Sequence, residues 1–353
     1  MTMRLFRHYT ELPTEVRGSV VVLGNFDGVH LGHQAVIATA RDIGLAAAMP
    51  VGVMTFEPHP RAVLAKDKDS FRLTPFRTKA RTLEALGVDF LIAQHFDLKF
   101  ARHTAAEFVD HVLVEGIGAR HVVVGYDYLF GQGRSGNVTV LEALGRSRGF
   151  AVTAVPPVRS ATGVTYSSTQ VRTCLVEGRP RDAAWLLGRY FEVEGRVEYG
   201  DQWGRWLGYP TANLYLGEYQ KPRIGVYAVR VGLDKRGETL WQNGVANYGY
   251  RPSVEGRTPL LEVHLLDFAE NIYRRRLRVA LVEFLRPERR FDGLEALRAQ
   301  IATDVAQART ILHRLLLSNH AIALDSPIRT VWESTNHTLT SSMNHREGVR
   351  GVH

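Results

Sequence analysis

The alternation of short apolar runs with amphipathic stretches over the first 155 residues sets the tightest limit on what this chain can fold into. Ser19–Leu23 (SVVVL), Val51–Thr55, Phe90–Ala93, His121–Val124 and Val152–Val155 read as strands, and Ala35–Ala48, Thr78–Leu86 and Ala105–Val114 as helices between them. A strand apolar on both faces must be covered on both, and helical crossovers make successive strands parallel. The spacing therefore predicts an α/β domain, a doubly wound parallel sheet.

From about Arg189 the texture changes. Phe191–Val197, Gly225–Val231, Leu261–Leu266 and Leu277–Phe284 are β-rich and separated by Gly- and Pro-containing turns, the pattern of a small antiparallel barrel. Leu294, Leu297, Ile301, Val305, Leu312 and Leu315 then recur at helical spacing and predict one long closing helix whose stripe is a packing face. The expected division is 1–186, 187–317 and a flexible polar tail at 318–353.

Composition narrows the class. One cysteine, Cys174, excludes a disulfide framework and a Cys-based zinc site and suits the cytoplasm. No membrane-length apolar run and no secretory apolar core are present, so no membrane partner is expected. Lys and Arg outnumber Asp and Glu by 44 to 36, which favours anionic partners. With no zinc finger, RNP signature or recognition helix, those partners are expected to be phosphorylated small molecules and not nucleic acid.

The chemistry concentrates first at Gly24–His33, GNFDGVHLGH, directly after the first strand and before the first helix. Ligands of open α/β sheets bind at this end of the strands. Gly24, Gly28 and Gly32 let backbone approach a ligand, and the helix N-terminus favours phosphate. His30 and His33, three apart, point the same way and can donate hydrogen bonds to oxygens that gain charge at an attacked α-phosphorus. Ser168 or Thr169 is placed to cap a later helix, and Arg172, one turn on, to hold the departing β- and γ-phosphates.

Here the segment resembles the signature of the nucleotidylyltransferase superfamily, in the form used by bacterial bifunctional riboflavin kinase/FAD synthetases. TFEPHP at Thr55–Pro60, GYDYLFGQGRSG at Gly125–Gly136 and SSTQVR at Ser167–Arg172 extend the resemblance. It implies a Rossmann-like adenylyltransferase domain with Gly24, Asn25, Phe26, Asp27, Gly32, Asp127, Ser168, Thr169 and Arg172 around ATP. It also implies a flavin-side loop with Phe56 and His59. Leu129 and Tyr128 depart from the family's GxDFxFG.

A second cluster lies in the C-terminal half. GYPTAN at Gly208–Asn213 resembles the riboflavin kinase signature: Pro210 fixes the turn, and the oxygens of Thr211 and Asn213 are hard neutral ligands suited to Mg²⁺. NYGYRPSV at Asn247–Val254 and LEVHLLDF at Leu261–Phe268 also match, and the resemblance implies flavin contacts from Asn247 and Arg251 and a general base at Glu262. On a strand, Glu262 and His264 share one face. A departure follows, where the family's Tyr-Gly is Tyr273-Arg274.

The resulting expectation is a cytoplasmic enzyme, monomer or weak homo-oligomer, that phosphorylates riboflavin to FMN and adenylylates FMN to FAD with ATP and Mg²⁺. The alternative is an FAD synthetase whose kinase half is impaired at Arg274. A flavin-sensing or RNA-binding protein would have no use for the base and metal ligands.

Overall fold

The computed structural model describes residues 2–65, 70–160, 163–199, 203–235, 238–250 and 259–317, all within one compact unit, Met1–Ile322. The expected tail and Arg251 lie outside these residues.

Six parallel strands form the N-terminal sheet in the order β1 (Arg4–Phe6), β4 (Phe90–His95), β3 (Val51–Glu57), β2 (Val20–Leu23), β5 (His121–Gly125), β6 (Ala151–Val155). Val21, Leu23, Met54, Ile92, Val122 and Val124 pack against a π-helical segment, Phe108–Ile117, that continues α4 (Ala105–Glu107). Helix α1 (Leu31–Ala47) also packs against β2, β3 and β5, with Ile37 and Ala40 fully buried. It lies so close that a Cβ on Gly44 would overlap Val51. The alternating apolar pattern thus produces the predicted parallel α/β layer. The edge strand β1 was not expected; three residues carry too little periodicity to read.

The C-terminal sheet is antiparallel, ordered β7 (Phe191–Arg196), β12 (Arg276–Arg286), β9 (Gly225–Lys235), β10 (Glu238–Gly249), β11 (Leu260–Leu265), β8 (Ala212–Tyr215). It curls until Glu198, two residues past β7, bridges Asn213 on the far edge strand β8. Its interior holds Val193, Leu214, Tyr227, Val229, Ala246, Leu261, Val263 and Leu281. That core continues into α6 (Ser168–Val176) and α7 (Pro180–Leu187) through Val171, Leu175, Ala183 and Leu187.

The closing helix α9 (Leu294–Leu317) packs on β9, β10 and β12. Its contact face is Asp304, Ala308 and Leu312, so a buried acid sits inside the expected apolar stripe and Leu294 is exposed. Asp304 is held there by Arg286 on β12 at 2.7 Å and by Gln300 at 2.7 Å.

Helix α3 (Phe76–Ala85) joins the two halves. Arg81 reaches Glu194 at 2.8 Å and Glu192 at 3.3 Å on β7, and the Thr78 hydroxyl lies 2.7 Å from that of Tyr219.

Candidate active sites

The loop between β2 and α1 carries an unusual backbone. Phe26, Gly28 and Val29 all have positive φ, at 48°, 88° and 44°. For a β-branched residue such as Val29 this is a strained conformation, held only when the surroundings over-determine it. Here they do, because each carbonyl from Asn25 to Val29 accepts a hydrogen bond. Lys79 donates to Asn25 at 2.8 Å, Thr74 to Phe26 at 3.4 Å and Ser168 to Asp27 at 2.8 Å. Arg189 donates to Gly28 at 2.8 Å, and Gln34 to Val29 at 2.9 Å.

The imidazoles at the end of this loop lie ring on ring, centroids 3.7 Å apart, with Phe26 edge-on to His33 at 5.2 Å. His30 is the N-cap of α1, its Nδ1 accepting the His33 N–H at 3.3 Å. That bond makes Nε2 the protonated nitrogen of a neutral His30. Burial pushes the His30 pKa down to about 4, against the pull of Asp27, and burial with the neighbouring His30 holds His33 well below its ordinary value. Gly32 faces the His30 ring, 3.1 Å from where its Cβ would stand.

Asp27, only 2% exposed, turns inward. Its Oδ1 accepts the N–H groups of Leu73 at 2.9 Å and Thr74 at 3.0 Å, and its Oδ2 pairs with Arg172. Arg172, expected as a free phosphate clamp, is thus tied to Asp27 and to the Phe71 carbonyl at 2.9 Å. The α6 cap is also displaced from expectation. Because the helix begins at Ser168, the residue before it, Ser167, caps it by accepting the Gln170 N–H. The Ser168 hydroxyl is committed to Asp27, and Thr169 is exposed.

Of the flavin-side candidates, Phe56 lies in the apolar core against Phe96 and Phe100, at 5.7 and 5.8 Å. His59 caps the short helix α2 (Pro60–Leu64) and meets Phe71 edge-on at 5.0 Å. Burial lowers its pKa to about 4. Asp127 is exposed beyond β5, next to the exposed Leu129.

Sequence reasoning missed the groups beneath the loop. Lys79 is completely buried on α3 and bonds Thr55 at 3.2 Å and Glu57 at 3.1 Å as well as Asn25. Arg72 grips Glu57 at 2.7 Å and reaches Glu218 at 3.3 Å. Burial raises the Glu57 pKa, but Lys79 and Arg72 outweigh it and leave the carboxyl below its ordinary value. In FRTKARTLEA a lysine reads as solvated; only the burial distinguishes it.

The second constellation is a row across three strands. Glu262 on β11 lies opposite Asn213 on β8 and Asn247 on β10. Directly opposed residues share a face, so the three stand together, while Leu214, Val263, Leu261, Ala246 and Tyr248 point into the core. Asn213 is 5% exposed, and its Oδ1 is buried with no partner among the described residues. Asn247 donates to Glu288 at 2.9 Å.

His264, two residues from Glu262, has Nδ1 2.9 Å from the Pro210 carbonyl, fixing the turn that delivers Thr211. Gly208 opens that turn with φ 87°. Arg274 itself adopts φ 63°, the region that favours glycine, with its guanidinium 6.0 Å from the Tyr199 ring centre. A side chain at this position is therefore accommodated.

Comparison with known proteins assigns a family to each half. The FAD synthetase family model matches residues 12–170 and the riboflavin kinase model residues 187–312. The chain is similar to the bifunctional riboflavin kinase/FMN adenylyltransferase of Escherichia coli (strain K12), 42% identical over 87% of this chain and 97% of that one. It is also similar to that of Pseudomonas fluorescens, 43% identical over 88% and 98%. Among solved structures, a chain described as a macrolide-efflux protein from Streptococcus pneumoniae superposes with a TM-score of 0.77 at 30% identity, covering 88% of this chain and 99% of that one. That likeness carries the fold; no helix among the described residues is long and apolar enough to cross a membrane. The chain belongs to the family of bifunctional riboflavin kinase/FMN adenylyltransferases.

Proposed function

We propose that the Asn213–Glu262–Asn247 row phosphorylates riboflavin and that the His30–His33 loop adenylylates the FMN so formed. The chain makes FMN and then FAD from riboflavin and two ATP. One observation carries the residue assignment: the register that sets Glu262 opposite Asn213, whose buried amide oxygen has no partner among the described residues.

In the first step Glu262 takes the proton of the riboflavin 5′-hydroxyl as that oxygen attacks the γ-phosphorus, and ADP leaves. The Asn213 oxygen, without a partner among the described residues, and the Thr211 hydroxyl would hold a Mg²⁺ ion as hard neutral ligands, and ATP oxygens and water would complete its shell. The ion would neutralise phosphate charge; Gly208 and Pro210 shape the turn, and Asn247 and Arg251 contact the flavin.

In the second step an FMN phosphate oxygen attacks the α-phosphorus of ATP, and pyrophosphate leaves. No proton need be moved, so catalysis is positioning and charge stabilisation. The neutral His30 donates through Nε2, and His33 beside it stabilises the same oxygens. Backbone at Gly24, Asn25, Phe26 and Gly32 approaches the phosphates. Arg172, held by Asp27, faces the departing pyrophosphate with Ser168 and Thr169, and Asp127 contacts the bound ATP. His59 and Phe56 border the flavin side. We place the boundary between the halves at 186/187 and the enzyme in the cytoplasm, acting as a monomer or weak homo-oligomer on small molecules and not on nucleic acid.

Crossed substitutions test the assignment. Glu262→Gln should abolish FMN formation and spare FAD formation from supplied FMN, and His33→Ala should do the reverse. Loss of both activities in either folded variant contradicts it.

A further inference from the structure

We infer that Arg189, in the segment between α7 and β7, is a positioning residue for adenylyl transfer that makes the start of the kinase half a working part of the nucleotide site. The inference rests on the adenylylation reading above. Arg189 donates from one guanidinium nitrogen to the Gly28 carbonyl at 2.8 Å and from another to the Val29 and Leu187 carbonyls, each at 3.3 Å. Those first two carbonyls flank the φ of the β-branched Val29, the most strained residue of the loop and the one just before His30.

The other side chains holding the loop carbonyls, Lys79, Thr55, Thr74, Ser168 and Gln34, all precede α7. Arg189 alone among these holders follows it. Gln34 reinforces the seam by donating also to the Leu187 carbonyl at 2.9 Å. The space beneath the loop is closed as well: a Cβ on Gly28 would stand 2.8 Å from Leu73 and 3.4 Å from Leu187.

The charge has a second effect. Arg189 turns a cation toward the negative ends of two carbonyl dipoles that would otherwise oppose bound phosphate from behind. It also lies close enough to His30 to disfavour that ring's protonation, though less than burial does. Burial lowers the pKa of Arg189 only to about 10, so it remains a cation at neutral pH. A planar fork can span three carbonyls; a lysine ammonium presents one point charge.

The test is the full-length chain carrying Arg189→Met or Arg189→Lys, assayed in one preparation for riboflavin phosphorylation and for FAD formation from supplied FMN, with the Tm of each. Arg189→Met should lower kcat for FAD formation by about tenfold to a hundredfold, the scale of a displaced catalytic group, with phosphorylation within about twofold of wild type. Arg189→Lys should fall between. Unchanged FAD formation in Arg189→Met, with the wild type active, overturns the inference. So does a parallel loss of both activities in both variants, which would mark a purely structural role. A wild-type chain that makes no FAD from FMN instead removes the adenylylation reading on which the inference stands.

Discussion

Asn213 and Glu262 stand opposite each other on neighbouring strands, the amide oxygen of the first buried and without a hydrogen-bond partner among the described residues. A buried orphan acceptor destabilises, and the proposed role of Asn213 in the kinase reaction accounts for its place here. Asn213→Leu removes the orphan and keeps the branched heavy-atom outline of the side chain, although its methyl groups are bulkier. The Tm should be unchanged or higher, while riboflavin phosphorylation falls by about a hundredfold or more, the scale of a lost transition-state interaction. A variant that is less stable yet retains phosphorylation would contradict this account of the site.

The buried histidines give stability a pH dependence of known sign. The folded pKa values of His30 and His59 lie near 4 against an ordinary 6.5, with burial the main cause for both. Between these values the unfolded chain binds protons that the folded chain does not. The stability is therefore complete above the upper value and is lost as pH falls toward the lower, on the order of 3 kcal/mol for each residue. Urea midpoints measured from pH 7.5 down to 4.5 should decline, and His30→Asn with His59→Asn should flatten the slope. An equally steep decline in the double variant would show that other groups carry it.

Lys79 and Glu57 form a buried ion pair beneath the nucleotide loop, 3.1 Å apart. Lys79→Met leaves the Asn25 carbonyl without its closest donor and Glu57 with Arg72 as its remaining close cation. Breaking one side of a buried pair costs about 3–5 kcal/mol. Chemical denaturation should show a loss of that order, accompanied by slower FAD formation. A stability change under about 1 kcal/mol would mean that Arg72 compensates fully.

Arg274 supplies a test of the kinase half. Its left-handed backbone costs a non-glycine residue about 1–2 kcal/mol, which glycine avoids at the expense of about 0.5–1 kcal/mol of chain entropy. Arg274→Gly should therefore change stability by no more than about 1 kcal/mol and phosphorylation by no more than about twofold. A tenfold rise in phosphorylation would show that the arginine restrains the native kinase.

The fold was legible where patterns are local. VVVL and HVVV are apolar on both faces and read directly as buried parallel strands. The strand ETLWQNGVANYG does not read as one from its sequence, because polar residues and Gly244 interrupt its alternation; its neighbours, not its propensity, make it a strand. The motif glycines, histidines, PTAN and Glu262 could be singled out from their spacing, but their relation could not. Asn213, Asn247 and Glu262 lie 15 to 49 residues apart in the chain and meet only through strand register. Arg172 was visible as a basic residue near the first site, while its commitment to Asp27 depends on two loops and a helix converging. Lys79 and Arg189 read as surface charges for the same reason: nothing in the local sequence records what covers them.

The most direct measurement is a time course of the purified full-length protein with riboflavin, excess ATP and Mg²⁺, resolving riboflavin, FMN, FAD, ADP and pyrophosphate. Two sites working in series predict that FMN appears first and FAD after a lag, with one ADP per flavin phosphorylated and one pyrophosphate per FAD. A preparation that turns supplied FMN into FAD but forms neither FMN nor ADP from riboflavin would contradict the account.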